Sequence, residues 1–181
     1  MKVIIIGGVA GGATTAARIR RVDEAAEIIL LEKGKYISYA NCGLPYYIGG
    51  VIEEREKLFV QTPEAFSTRF RVDVRTENEV IFIDRKRKTV PVRRSSEDTY
   101  QESYDKLLIS TGASPVHPPL PGIDLNGIFT LRNVADTDRI KEYINTHAPR
   151  RAVVIGAGFI GLEMAENPVS YTHLTLPTNR E

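Results

Sequence analysis

One cysteine, two glycine-rich turns and an arginine-bearing helix hold the residues of this sequence that can do chemistry. The cysteine, Cys42, lies in "SYANCGLPYY", between an asparagine and a glycine, in a stretch neither strand-like nor amphipathic. A lone thiol cannot store electrons as an internal disulfide. Its two reversible oxidised forms are a mixed disulfide with an external thiol and a sulfenic acid. Both start from the thiolate, which needs positive potential around it. "CGLPYYIGG" can begin a short helix with the sulfur at its N-terminus, and Ser38 and Asn41 are close enough in sequence to donate hydrogen bonds to sulfur or substrate. The alternative is a small buried hydrophobe, a common fate of free cysteines. The polar, glycine-flanked surroundings of Cys42 do not read as core.

A glycine turn between a strand and a helix lets the backbone approach a pyrophosphate, which the helix N-terminus and its amides then hold. "GAGFIG", at Gly156, Gly158 and Gly161, has the full spacing, after the strand-like "AVVI" and before a helix. "GGVAGG" is less regular: Gly7 and Gly12 hold the first and third positions, but Val9 stands at the second. Glu32 supports it, twenty positions past Gly12 at the end of the second strand, where a carboxylate accepts hydrogen bonds from ribose hydroxyls. The competing reading is that Glu32 caps an exposed strand end. Two dinucleotide sites around one thiol suit a flow of hydride from nicotinamide through flavin to sulfur.

The elements that must position these groups follow from periodicity. The opening reads strand Lys2 to Ile6, helix from about Gly11 to Val22, then strand "EIILLE". Thr62 is placed to cap a helix whose first residue is Pro63. Residues 72 to 110 read as short strands, "VDV", "EVIFI", "TVPV" and "YDKLLIS", a small meander returning to the main sheet. The turn "DRKRK" and the pair Arg93-Arg94 lack interleaved aromatics and read as a solvated hairpin rather than a nucleic-acid patch. "PVHPPLPG" is a proline-rich connector, "DTDRIKEYI" a helix, and "RRAVVIGAGFIGLEMAE" a second copy of the opening grammar. Val169 to Thr178 look like a translated reading frame of a transposase adapter used for sequencing libraries, so residues 168–181 are expected to be non-native.

Composition excludes other classes. The 24 basic and 23 acidic residues leave a net charge of +1, so no global field points to nucleic acid or to a membrane surface. There is no signal-peptide pattern and no apolar stretch long enough to span a bilayer, so a cytoplasmic setting is expected. His117 and His147 are far apart without an acidic cluster, and no metal site is expected.

"GGVAGG", "SYANCGLPYYIGG", "STGASP" and "GAGFIGLEMAE", in this order over residues 1 to about 167, resemble the pyridine nucleotide-disulfide oxidoreductases. Within them the sequence is most similar to the coenzyme A-disulfide reductase branch, and Ser38-x-x-x-Cys42 followed by "GLPYY" is the most specific element. The resemblance implies an α/β chain: a Rossmann-like FAD domain over residues 1–114 with a β-meander insertion, a connector and helix over 115–150, and the start of a second Rossmann-like unit, for NADH or NADPH, over 151–167. Carried over by position, Gly7, Gly8, Ala10, Gly11, Gly12, Glu32, Thr111 and Gly112 would contact FAD. Gly156, Gly158, Phe159, Ile160, Gly161 and Glu163 would serve the nicotinamide dinucleotide. Cys42 would be the nucleophile, with Ser38 and Asn41 supporting it and touching substrate.

Thr14, Arg18 and Arg21 fall on one helix face, with Arg20 off it, and resemble the branch's coenzyme A-contacting stripe; a solvated arginine face is the alternative. Arg69 is a weaker candidate for a further phosphate contact. The implied parent is a homodimer more than twice this length that reduces coenzyme A disulfide through a single-cysteine mixed disulfide. Related branches are NADH oxidases and peroxidases and persulfide or polysulfide reductases. The remaining alternative is an inactive nucleotide-binding fragment.

Overall fold

The structure is a computed structural model and describes residues 1–94 and 98–167, so the expected non-native tail lies outside the described residues. In chain order the elements are β1 (Lys2–Ile6), α1 (Ala10–Val22), β2 (Glu27–Glu32), α2 (Leu44–Ile48), α3 (Pro63–Phe70), β3 (Asp73–Thr76), β4 (Asn78–Val80), β5 (Thr89–Arg94), β6 (Thr99–Ser103), β7 (Lys106–Ile109), α4 (Val134–His147) and α5 (Phe159–Glu166). The chain divides into two units: residues 1–39 with 59–113, and residues 40–58 with 114 onward.

The first unit is built on a parallel sheet of order β3-β2-β1-β7. The central strands are apolar on both faces, as buried parallel strands must be. Val3 and Ile5 join Ile28 and Leu30 against Ala13 and Ala16 of α1 and Phe66 of α3. Ile4 and Ile6 join Ile29 and Leu31 against Val90 and Val92 of an antiparallel ribbon of order β4-β5-β6. Small residues on α1 let that helix sit close to the sheet, and the Thr62 hydroxyl caps α3 by accepting from the Ala65 amide at 3.2 Å.

"VDV" does not belong to the meander: β3 pairs with β2 in parallel, from Ile29 with Asp73 to Glu32 with Thr76, because α3 carries the chain over the sheet before it returns. "EVIFI" is strand only to Val80; the Ile81 amide still donates to the Pro91 carbonyl, and the side chains of Ile81 and Phe82 are exposed. The hairpin turn is solvated, with Asp84 accepting from the amides of Lys86 and Arg87.

A charged cluster fastens ribbon to sheet. Glu102 of β6 accepts from Lys2 Nζ and from Arg75, each at 2.7 Å, and Arg75 also meets Asp73 and the Tyr100 hydroxyl. Burial alone would push the Glu102 carboxyl up, but the hydrogen bonds from Lys2 and Arg75 outweigh it and hold it below the ordinary glutamate value.

In the second unit, a 3-10 turn at Asn41–Gly43 runs into α2, whose Leu44, Pro45 and Ile48 are buried. α4 starts with a reciprocal cap between Asn133 and Asp136 and buries Val134, Thr137 and Ile140 on one face. The expected strand "AVVI" is not formed: residues 151–157 have no ladder, and Val153 and Ile155 are exposed. A parallel strand satisfies its backbone groups only beside another strand, and none of the described strands pairs with it. Among the described residues no helix is long and apolar enough to cross a membrane.

Candidate active site

The first glycine turn is shaped by close backbone approach. Gly7 has φ +98°, and a Cβ there would overlap the Ser110 carbonyl. A Cβ on Gly12 would overlap the Gly7 carbonyl. One on Gly11 would stand 2.5 Å from Ser110 Oγ. Gly8 packs against Ile37 and Leu30, and the exposed Ala10 opens α1. Val9, at the second position, has a negative φ of −88° but a ψ of −117°, outside the common β and right-handed helical regions. Ser110 escaped the sequence reading because it reaches this turn only through the pairing of β1 with β7.

Glu32 ends β2 beside the same turn. Its Oε2 accepts from the Gly8 amide and its Oε1 from the Gly34 amide, both at 2.8 Å. Each oxygen keeps a lone pair for a further donor, so the carboxylate is oriented and still able to accept from ribose hydroxyls. The cradle that a Cβ would fill and this fixed carboxylate fit the pyrophosphate and ribose of a dinucleotide.

α1 presents Thr14, Arg18 and Arg21 together on an exposed face. Arg20 is spent structurally, donating to the carbonyls of Phe70, Arg71, Asp23 and Glu24. Arg69 is exposed over the Phe70 ring. Thr111 and Gly112 follow β7, Gly112 at φ +68°. Thr111 lines an open apolar groove of about 600 Å³ with Ile6, Phe82, Leu107 and Ile109.

Ser38 adopts φ +48°, a conformation L-residues rarely occupy. Its amide donates to the Gly8 carbonyl at 2.9 Å, and its carbonyl accepts from the Val60 amide at 2.8 Å, which holds it there. Backbone strain of this kind collects at functional sites.

In the second unit Cys42 is exposed in the 3-10 turn entering α2, which removes the buried-hydrophobe reading. Asn41 is exposed beside it. Among the described residues, neither the Ser38 hydroxyl nor the Asn41 amide has a side-chain partner, so both retain donors for a ligand. Lys141 of α4, which the sequence reading missed, donates to the Tyr47 carbonyl at 2.6 Å and lies 3.7 Å from the centroid of that ring.

The second glycine turn shares two features with the first. Gly156 has φ +108°, a Cβ on Gly161 would overlap the Gly156 carbonyl, and Gly158 caps α5. Phe159 and Ile160 are exposed, and Glu163 is half-buried with its carbonyl accepting from Asn167. Among the described residues no group of three or more His, Cys, Asp or Glu could hold a metal ion.

The first unit carries a βαβ arrangement around a glycine turn, and the second carries a similar turn and an exposed thiol. Residues 1–174 match the pyridine nucleotide-disulphide oxidoreductase family, and the chain belongs to it. It is 46% identical over 167 residues to the coenzyme A disulfide reductase of Staphylococcus haemolyticus, covering 92% of this chain and 37% of that protein. Among solved structures it resembles the reduced CoADR-RHD of Bacillus anthracis at 56% identity and a TM-score of 0.90, over 92% of this chain and 30% of that one. It also resembles an NAD-dependent persulfide reductase from A. fulgidus at 43% identity and a TM-score of 0.88, over 93% and 32%. The chain thus spans about a third of the length of these relatives.

Proposed function

We propose that this chain carries the flavin cradle and the reacting thiol of a FAD-dependent NAD(P)H:disulfide oxidoreductase acting on coenzyme A disulfide. The observation that carries the reading is the exposed Cys42, alone in its chain, in the turn that opens α2. The first glycine turn and Glu32 would hold FAD, with Thr111 and Gly112 beside it. Gly156, Gly158, Gly161 and the start of α5 would hold NADH or NADPH. Bound FAD would supply the two-electron chemistry that links a nicotinamide to sulfur.

The chain's own chemistry is thiol–disulfide exchange. The Cys42 thiolate attacks one sulfur of the substrate, the S–S bond breaks, and one coenzyme A leaves as its thiolate. The other stays bonded to Cys42 until two electrons cleave the mixed disulfide, and protons from solvent complete both thiols. Ser38 and Asn41 donate to the substrate. Thr14, Arg18 and Arg21 meet its phosphates, which need cations.

Incubation with coenzyme A disulfide is expected to add one coenzyme A to the chain, at Cys42. Cys42→Ser abolishes the adduct, and Arg18→Ala with Arg21→Ala slows its formation by about tenfold. Adduct formation on Cys42 that is no faster in the folded chain than in the chain unfolded in denaturant, or that Arg18→Ala with Arg21→Ala leaves unchanged, overturns the assignment. The likeness to a persulfide reductase favours a second reading, in which polysulfide or persulfide is the acceptor. Turnover of a full-length protein with NAD(P)H on coenzyme A disulfide, polysulfide, peroxide and oxygen separates the two.

A further inference from the structure

We infer that Lys141 is a positioning residue for the reacting thiol, holding the helical rod that begins at Cys42. This rests on the reading of Cys42 as the group that exchanges with disulfides. The 3-10 turn Asn41–Gly43 and α2 run on without a break, since Gly43 and Leu44 are both in right-handed helical conformation. Rotation or fraying of α2 therefore moves Cys42.

α2 has five residues, too few to hold itself as an isolated helix, so its orientation comes from what it packs on. Its apolar side, Leu44, Pro45 and Ile48, is buried and sets which face turns inward, but apolar contact carries no donor–acceptor geometry of its own. Backbone amides of Gly49, Gly50 and Ile52 donate to α2 carbonyls from the loop that follows, and Lys141 adds a directional side-chain contact from α4. Its ammonium donates to the Tyr47 carbonyl at 2.6 Å, among the last acceptors of α2, and rests 3.7 Å from the Tyr47 ring centroid. A cation at a helix C-terminus complements its dipole, and one over a tyrosine face gains from the ring quadrupole.

One turn back along α4, Asp138 takes a bidentate pair from Arg55, with Nε at 2.9 Å and Nη2 at 2.7 Å. Asp138 and Lys141 thus fasten both ends of the segment that follows Cys42 onto the same helix. Burial lowers the Lys141 pKa, in keeping with an ammonium withdrawn from water.

Thiol–disulfide exchange needs three sulfurs in line, and a thiol held in one orientation reaches that geometry more often than one on a frayed turn. The test is exchange of Cys42 with glutathione disulfide in the intact chain, followed by mass, alongside amide exchange over Leu44–Ile48. Lys141→Met is expected to slow thiol exchange about threefold or more and to raise amide exchange in α2, with Lys141→Arg restoring both because it keeps the charge and the donors. Lys141→Gln is the second variant if the methionine form does not fold. Wild-type thiol exchange in the methionine or glutamine variant overturns the proposal, as does an arginine variant that behaves like methionine. Neither readout uses flavin or nicotinamide. Loss of the Lys141 effect therefore refutes the positioning role alone, and failure of Cys42 to form any mixed disulfide refutes the functional reading.

Discussion

At the residue scale, the turn glycines were legible because each meets a backbone constraint that few residue types can meet. Gly7 and Gly156 need positive φ, and Gly12 and Gly161 must leave room for a carbonyl, so spacing alone exposes them. Ser38 was legible as a polar neighbour but not as a strained one, since nothing local requires φ +48° for a serine. That strain yields a prediction. Ser38→Gly relieves about 1–2 kcal/mol of left-handed strain and costs about 0.5–1 kcal/mol through the greater freedom of the unfolded glycine. Its melting temperature should therefore stay close to wild type or rise slightly. If the hydroxyl serves the substrate, coenzyme A adduct formation on Cys42 slows several-fold all the same. Unchanged adduct kinetics in S38G would leave Ser38 with a backbone role only.

At the scale of elements, β1 and β2 follow from continuous apolar runs and α1 from the glycine turn between them, whereas "VDV" reads as part of the meander and β3 joins the main sheet. Three residues of "VDV" give no sign of which neighbour they will join; α3 decides that by carrying the chain across before it returns. The Lys2–Glu102–Arg75 cluster was equally hidden, since its members are far apart in sequence. Glu102 is mostly buried and its carboxyl is held low in the fold, so its stabilisation is present above its ordinary pKa of 4.5 and lost as pH falls through the lower folded value. Glu102→Gln is expected to cost about 1–3 kcal/mol at pH 7 in chemical denaturation. The gap to wild type should close below pH 4.5, as the wild-type carboxylate also takes up its proton. A gap that stays constant down to pH 3 would show that charge at Glu102 is not what fastens the ribbon.

For the whole molecule, the sequence carries the same strand-turn-helix grammar twice, and the chain realises it differently each time. Aligned on Gly7 and Gly156, Ile4, Ile5 and Ile6 correspond to Val153, Val154 and Ile155. The first three are at most 9% exposed between β2 and β7, while the second three are 85, 42 and 93% exposed. The turns match because their geometry is local, set by glycine φ and carbonyl spacing. The strands differ because a parallel ladder needs partners that only tertiary structure supplies. Amides of residues 3–6 should therefore exchange only through opening close to global unfolding, and those of 152–155 at nearly unprotected rates. Ile4→Ala is expected to cost about 2–5 kcal/mol, and Ile155→Lys under about 0.5 kcal/mol. Strong protection at 152–155 in the purified chain would mean that these residues have found a strand to pair with, and a protection pattern that weakens on dilution would identify that strand as belonging to a second copy.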